Sequence, residues 1–473
     1  MKKVKQQELL FILGIGLFAL LWAVVQPFNS SPDEKMRYEV AEYMYRYGRI
    51  PHGGDPQLRN VNWGISYAFS PVLSYMFSAV CMKITSLFAD TKEALVIAAR
   101  IPNVLFTAGT AAFTLQIGKR MLSEKGRWLF AALVTLLPGF LFLGSYTNTD
   151  AIAIFSTAWI FYSWVCYLKE GWSWKNCILL AAGMSVCFLS YYNAYGWILT
   201  SFLFFTATIF LCSREAIGKR FKFWLSRGSV IAAIVAVLAG WWFIRNGIIY
   251  DGDFLGRKTS ALYGELYARE DLKPSVKATP QKLGWSLKDM FLYVEPGWGH
   301  NWVITVLVSF IGTFGYMKIF MPYWLSKIYF FYFVIGFFSM ALALREFRWR
   351  ERYQWKANKR EKGREISVQE EHKAVKTVWN KVGFFHTGLF LNLVIPVILL
   401  ISYAYSSDLQ AQGRYLMPAL LPLMYFVTRG YEALLEKLVR NETGRRVFYG
   451  ISIGFLLVSA IGTYAFVFLP NYI

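Results

Sequence analysis

An apolar run of bilayer-spanning length, residues 9–25, opens this chain directly after Lys2, Lys3 and Lys5. A largely uncharged stretch of about 17–25 residues is long enough to cross a membrane as a helix. Lysines at its start favour retention of that end in the cytoplasm. No small-residue cleavage site follows the run before Gln26, so we expect an uncleaved first transmembrane helix rather than a signal peptide.

The rest of the chain repeats this pattern of apolar runs and basic loops. Of its 473 residues, 56% are hydrophobic and 18% aromatic, which is too apolar for a protein with one hydrated surface. The sequence therefore predicts an all-α polytopic membrane protein. The net charge of +21 comes from clusters between apolar runs, where loop placement explains it, so we expect no nucleic-acid partner.

Placing the basic loops in the cytoplasm predicts about eleven crossings, with the N-terminus inside and the C-terminus outside. This arrangement requires the apolar segments 67–88 and 302–320 to stay at the outer interface. The basic segment 345–383 is expected inside. The expected crossings are residues 9–25, 94–117, 128–146, 151–168, 177–192, 197–212, 229–249, 324–344, 384–405, 417–435 and 447–469.

Acidic residues stand beside the predicted outer ends of two helices. Asp33 and Glu34 follow the first helix, and Asp150 opens the helix at 151–168. A charged side chain costs about 2.5–3.5 kcal/mol at the centre of a membrane helix, so acids near such helices are usually functional or paired. A paired structural role is the alternative for Asp150. For Asp33 the alternative is a helix N-cap, which is compatible with catalysis.

Arg100, Arg245 and Arg414 also lie near the predicted outer ends of helices. Arginine binds phosphate in a bidentate fashion, so three guanidinium groups at one depth would suit an anionic headgroup. Snorkelling of each arginine to bulk lipid phosphates is the alternative. The five cysteines and four histidines show no metal-binding spacing.

Several motifs, in this order and on one side of the membrane, resemble the GT-C superfamily of membrane glycosyltransferases. The first ones resemble the protein O-mannosyltransferase and aminoarabinose-transferase group, the Asp150 motif also resembles the oligosaccharyltransferase catalytic subunit, and the later ones a bacterial family of uncharacterised membrane proteins. The motifs are Pro32-Asp33-Glu34, Gly48-Arg49-Ile50-Pro51, Ala99-Arg100-Ile101-Pro102-Asn103, Ser145-Tyr146-Thr147-Asn148-Thr149-Asp150, Trp241-Trp242-Phe243-Ile244-Arg245-Asn246, Phe314-Gly315-Tyr316 and Gln412-Gly413-Arg414-Tyr415.

The resemblance implies a GT-C-like bundle with interfacial helices in large outer loops. It also implies an inverting transfer of a sugar from a polyprenyl-phosphate donor to a hydroxyl of a cell-envelope acceptor, at the outer face of a bacterial plasma membrane. Asp33 would be the general base, with Glu34 and Asp150 orienting substrate or binding a divalent metal. The three arginines would hold the donor phosphate. Residues expected to bind acceptor or sugar are Asn148, Asn246, His300 and Tyr415.

This interpretation divides the chain into a catalytic module at 1–249, a second outer loop at 250–323 and C-terminal helices at 324–473. One departure from the resemblance is Lys318 after Phe314-Gly315-Tyr316-Met317, where relatives often carry an acid. A transporter or flippase of a lipid-linked or anionic substrate is the main alternative, although no internal repeat is evident. A scaffold or sensor would leave Asp33 and Asp150 at one interface unexplained.

Overall fold

The computed structural model describes residues 2–346, 350–355 and 374–473. Within these ranges the regular secondary structure is almost entirely helical, which confirms the predicted fold class. The α-helices are α1 Lys2–Val25, α2 Glu34–Tyr47, α3 Leu73–Thr85, α4 Lys92–Met121, α5 Glu124–Thr135, α6 Pro138–Leu143, α7 Asp150–Glu170, α8 Trp174–Phe188, α9 Gly196–Phe210, α10 Ile217–Ile249, α11 Arg257–Tyr267, α12 Leu287–Leu292, α13 Trp302–Gly312, α14 Tyr323–Ser339, α15 Lys381–Ser406, α16 Leu420–Leu438 and α17 Glu442–Thr463.

Eight helices among the described residues are long and apolar enough to cross a membrane. The chain is therefore a multi-pass membrane protein. The expected count of about eleven stays a prediction, because other apolar helices, such as α8 with its 15 residues, are shorter. The eight segments are Lys5–Val25, Lys92–Met121, Asp150–Glu170, Tyr192–Phe210, Ile217–Ile249, Tyr323–Ala343, Lys381–Ser406 and Glu442–Asn471.

Proline explains one break and is tolerated at another position. The apolar run 128–146, expected as one crossing, divides where α5 ends at Thr135 and α6 begins at Pro138. Proline has no backbone N–H to donate and favours the first turn of a helix. By contrast, Pro396 lies inside the continuous helix α15.

The two segments expected to remain at the interface contain only short helices. α3 has 13 residues and α13 has 11. At about 1.5 Å per residue neither approaches the roughly 30 Å of a bilayer core, which favours the interfacial interpretation. α13 leads into a two-stranded antiparallel hairpin of β1 Thr313–Phe314 and β2 Ile319–Phe320.

One end of the helix bundle, which we call the basic end, carries ion pairs between α1, α4 and α5. Glu8 accepts hydrogen bonds from Arg127 at 2.7 Å and from Lys119 at 3.2 Å. Helices that start here have polar caps, such as Ser123 before α5 and Asn441 before α17. Of the expected cytoplasmic segment 345–383, residues 347–349 and 356–373 lie outside the described ranges. Its flanks form an antiparallel pair, β3 Arg350–Trp355 and β4 Ala374–Trp379.

The opposite end, which we call the site end, collects the loops that carry the predicted functional residues. α1 ends there, α4, α7 and α16 begin there, and α2 and α3 pack against each other beside α4. An aromatic core supports these helices from within the bundle, for example where Trp164 stacks on Phe204 at 4.7 Å between ring centroids. The division into three modules stays a prediction.

Candidate functional site

Asp33 occupies an unusual backbone conformation immediately before α2. It holds the N-cap position with a φ of 63°, in the left-handed region, but its side chain makes no capping hydrogen bond, so the alternative of a capping role for this carboxylate is not supported. Its Oδ2 instead accepts a hydrogen bond from Nη2 of Arg414 at 2.9 Å and lies 3.7 Å from Nη2 of Arg37. The side chain keeps 29% exposure, so this carboxylate is accessible to a substrate.

The surroundings of Asp33 keep its carboxyl ionised. Burial acts to raise the pKa, but the charges of Arg414 and Arg37 and hydrogen bonds from Arg414 and Tyr67 outweigh it, so the pKa lies below its usual value. The carboxylate therefore remains a proton acceptor at neutral pH.

Arg37 is the functional candidate that the sequence interpretation missed. Its guanidinium is 2% exposed and lies between two carboxylates, with Nη1 3.4 Å from Oδ2 of Asp150 and Nη2 facing Asp33. It also lies over the ring of Tyr67. The sequence feature that could have identified Arg37 is its spacing, four residues after Asp33 and on the same helical face. Asp33 and Asp150 thus share one buried cation.

Glu34 and Arg100 bind each other and do not face a cavity. Nε and Nη2 of Arg100 donate to the two carboxylate oxygens of Glu34 at 2.7 and 2.9 Å. The remaining guanidinium hydrogens reach the carbonyls of Ala23, Gln26 and Pro27. Glu34 also accepts from the backbone N–H groups of Asn29 and Thr147. Because both side chains are fully used and at most 1% exposed, the roles expected for them in substrate and phosphate binding do not fit.

The three arginines expected to form one phosphate pocket have separate environments. Arg245 donates to the carbonyl of Pro51 at 2.7 Å and packs near Trp242, and no described contact joins it to Arg100 or Arg414. Arg414 differs, because its Nε and Nη1 are buried and donate to no described residue. Of these three arginines, Arg414 alone combines a contact with Asp33 and donors that pair with no described residue.

A narrow cavity of about 20 Å³ lies against Arg414. Its walls are apolar on one side, with Phe142, Leu143 and Met417. On the other side are four buried polar groups with atoms that pair with no described residue: Tyr146 Oη, Thr313 Oγ1, Gln412 Oε1, and Nε and Nη1 of Arg414. Buried polar atoms are nearly always hydrogen-bonded, so this cluster is arranged for a polar ligand or for water.

Of the residues expected to bind acceptor or sugar, Tyr415 lies beside the site and the others have different surroundings. The Tyr415 hydroxyl accepts from Arg414 at 3.4 Å and donates to Gln410 at 2.8 Å. Asn148 is fully buried and bonds the backbone around the start of α7. Asn246 bonds the Phe254 carbonyl. His300 stacks on Tyr323 at 4.2 Å.

The described carboxylates are not grouped as a divalent-metal site, one of the two alternatives for Glu34 and Asp150, would require. Among the described residues no group of three His, Cys, Asp or Glu side chains lies close enough to hold an ion. Asp33 faces Arg414, Glu34 faces Arg100, and Asp150 faces Arg37. Each negative charge thus faces a guanidinium, and Arg37 lies between Asp33 and Asp150.

No protein-family profile matches this sequence, and no curated protein is similar to it in sequence. Solved structures do share its fold. The oligosaccharyltransferase AglB from Archaeoglobus fulgidus, in complex with an inhibitory peptide and a dolichol-phosphate, superposes with a TM-score of 0.52 at 11% identity over 98% of this chain and 56% of that one. Its complex with Zn and sulfate gives 0.54 at 12% identity over 97% of this chain and 53% of that one.

ArnT from Cupriavidus metallidurans, bound to undecaprenyl phosphate, gives a TM-score of 0.47 at 13% identity over 97% of this chain and 64% of that one. The chain therefore spans little more than half the length of the oligosaccharyltransferase and has its membrane fold. The predicted resemblance to GT-C proteins is confirmed at the level of fold.

Proposed function

We propose that this protein is a glycosyltransferase that moves a sugar from a polyprenyl phosphate to a hydroxyl group of a cell-envelope acceptor. The observation that carries the proposal is Arg414, whose guanidinium binds the partly exposed carboxylate of Asp33 through Nη2, has buried N–H groups that pair with no described residue, and lines a cavity. An anion-binding group, Arg414, beside a proton acceptor, Asp33, suits a reaction in which a phosphate leaves while a hydroxyl attacks. The fold shared with the dolichol-phosphate-bound oligosaccharyltransferase supports a lipid-linked donor.

In the proposed reaction the acceptor oxygen attacks the anomeric carbon on the face opposite the phosphate. A new carbon–oxygen bond forms as the bond between the anomeric carbon and the phosphate oxygen breaks. Asp33 takes the proton of the acceptor hydroxyl, and the polyprenyl phosphate leaves with the bonding electrons and the negative charge. This single displacement inverts the anomeric configuration.

Arg414 would bind the donor phosphate and stabilise the charge that develops on its leaving oxygen. The hydroxyls of Tyr146 and Thr313 would complete the phosphate contacts, since both lie in the same cavity. Arg37 would hold Asp33 and Asp150 in fixed positions, so Asp150 acts on the base through this cation. Arg100 and Glu34 would fix the loop that carries Asp33, which replaces the phosphate-binding and catalytic roles expected for them.

The proposal also places the site at the outer face of a bacterial plasma membrane. The supporting feature is the clustering of basic side chains at the opposite end of the bundle, as the positive-inside rule expects of a cytoplasmic face. The acceptor would then be a component of the cell envelope that meets the lipid-borne sugar at this interface.

The test is a transfer assay on purified full-length protein with a panel of undecaprenyl-phosphate sugars, in which sugar transfer or sugar release is measured. Asp33→Asn should lower the transfer rate about 10²–10⁴-fold, the usual contribution of a general base. Asparagine adopts left-handed backbone conformations readily, so this variant keeps the local fold. Asp271→Asn is the matched control, because Asp271 is an exposed acid at the same end of the bundle, 62% accessible.

Donor binding is measured on the same samples as polyprenyl phosphate retained after purification, by mass spectrometry. Asp33→Asn should retain the lipid, Arg414→Ala should lose it, and Arg245→Ala should behave as wild type. A fully active Asp33→Asn protein would remove the general-base assignment. Lipid retention without turnover of any donor in wild-type protein would favour a transporter.

A further inference from the structure

A second and larger cavity, of about 570 Å³, lies at the site end, and none of the residues given a role in the proposed reaction lines it. We call it the aromatic cavity. Half of its lining residues lie between Ala278 and Trp298, after α11. The others are Trp63, Tyr316, Met317 and the segment 408–412. Its volume falls within the range of about 300–1,000 Å³ that is typical of small-molecule sites.

Aromatic rings dominate one side of this cavity. The ring centroids of Trp285 and Tyr293 are 4.8 Å apart, and Tyr293 and Trp298 meet edge to face at 6.2 Å. Local hydrogen bonds hold the wall in place, from the Trp298 N–H to the Glu295 carbonyl and from the Tyr405 hydroxyl to the Trp285 carbonyl. All three rings are only half-buried. Such a group of part-exposed rings in a concave wall is typical of a binding site.

Carboxylates and amides occupy the remaining wall. Glu295 accepts a hydrogen bond from the Tyr293 hydroxyl at 2.7 Å, and Asp408 pairs with Lys277 at 2.6 Å. The side-chain oxygen of Gln412 is buried and pairs with no described residue. A purely apolar ligand would remove water from these hydrogen-bond acceptors and offer no donor in exchange, which disfavours such a ligand. Negative carboxylates in the wall likewise disfavour a polyphosphate or nucleic acid.

This combination suits a saccharide. A pyranose ring presents C–H groups that pack against the electron-rich faces of aromatic rings. Its hydroxyl groups donate to carboxylate and amide oxygens such as those of Glu295 and Gln412. The charges of the wall are already balanced in part by Lys277, which favours a neutral sugar over a cationic one.

The aromatic cavity adjoins the narrow cavity beside Arg414. Met317, at the tip of the β1–β2 hairpin, and Gln412 line both spaces. A molecule bound against the aromatic wall thus has one end directed towards the narrow cavity beside Arg414, the arginine that binds Asp33. We infer that the aromatic cavity binds the acceptor and that the acceptor is a neutral saccharide built of pyranose rings. The acceptor role of the bound saccharide rests on the proposed function, whereas the binding of a saccharide in this cavity is independent of it.

The test uses full-length protein in lipid nanodiscs, applied to a printed array of neutral and charged oligosaccharides, with affinities for the brightest neutral glycan measured by calorimetry. Trp298→Ala and Trp285→Ala should each weaken binding about ten-fold, as expected for loss of a stacking ring. Trp324→Ala is the matched control, since Trp324 is 63% exposed and lies outside the cavity. Asp271→Asn, at an exposed acid that lines neither cavity, should bind the saccharide as wild type does.

Absence of binding to every glycan, or equal affinity in the Trp285, Trp298 and Trp324 variants, would overturn the inference. Selective capture of acidic glycans alone would overturn the assignment of a neutral saccharide. Hydrolysis of the donor sugar, measured in parallel with glycan binding, distinguishes failure of the proposed glycosyltransferase function from failure of the saccharide-binding inference. Sugar release without glycan binding would refute only the inference drawn from the cavity, and glycan binding without any donor turnover would refute the acceptor role together with the proposed function.

Discussion

The pair formed by Glu34 and Arg100 should determine the stability of the site more than its chemistry, and Glu34→Gln tests this. Each carboxylate oxygen of Glu34 receives one hydrogen bond from Arg100 and one from a backbone N–H, at Asn29 or Thr147. Glutamine converts one of these oxygens into an NH₂ group that faces two donors. It also leaves the charge of Arg100, which is 1% exposed, without a counter-charge.

Breaking a buried ion pair on one side costs about 3–5 kcal/mol of unfolding free energy, because the remaining charge stays desolvated. For a large chain each kcal/mol lowers the Tm by roughly 2 °C, so Glu34→Gln should lose roughly 6–10 °C. Thermal unfolding in detergent, followed by intrinsic fluorescence of the 18 tryptophans, measures this change.

The structure supplies a matched control on the same helix. Glu42 and Arg46 also meet at 2.7 Å, but Arg46 is 61% exposed. Exposed pairs of this kind contribute about 0.3–0.5 kcal/mol, so Glu42→Gln should shift the Tm by roughly 1 °C or less. Equal shifts in the two variants would refute the role of burial. A Glu34→Gln protein of unchanged Tm that has lost transfer activity would instead restore the catalytic role predicted from sequence.

Two further predictions concern charge and orientation. Because Arg414 and Arg37 hold the pKa of Asp33 below its usual value, transfer activity should persist until the pH falls below the ordinary aspartate range of about 3.9. Arg37→Gln should move this acid limb to higher pH, since one of the two charges that lower the pKa is then lost. An unmoved limb in the normalised pH profile would show that another group titrates. In a variant without native cysteines, an impermeant thiol reagent applied to cells should label a cysteine placed at position 270 and not one at position 442, and the reverse pattern would invert the proposed orientation.

The fold was largely predictable because bilayer physics acts on local sequence. Apolar runs of sufficient length and the polar caps at helix starts are both visible in a stretch of about 20 residues. The division of the run 128–146 was harder, since proline breaks α5 from α6 at Pro138 and yet leaves α15 continuous at Pro396. The outcome depends on which backbone groups neighbouring helices satisfy, and a single sequence does not show that.

The site was only partly predictable, because its contacts join residues far apart in the chain. Sequence position alone indicated that Asp33 and Asp150 belong to one end of the molecule, and the structure places Arg37 between them. It could not indicate that Arg100 would pair with Glu34, 66 residues earlier, while Arg414 kept uncommitted donors. Three arginines at one expected depth looked equivalent, and only tertiary packing distinguishes them.

Arg100 also joins the candidate base to the lipid environment. It binds the carbonyls of Ala23 and Gln26 at the end of α1 as well as Glu34, the residue next to Asp33. Along α1 the side chains of Leu10, Leu13 and Leu17 are about 60% exposed, so this helix presents one face to acyl chains. Membrane helices change tilt when the hydrocarbon layer becomes thicker or thinner. A change in the tilt of α1 would reach Asp33 through one guanidinium and a short loop, so we expect the acyl-chain length of the surrounding lipids to affect the position of the Asp33 carboxylate.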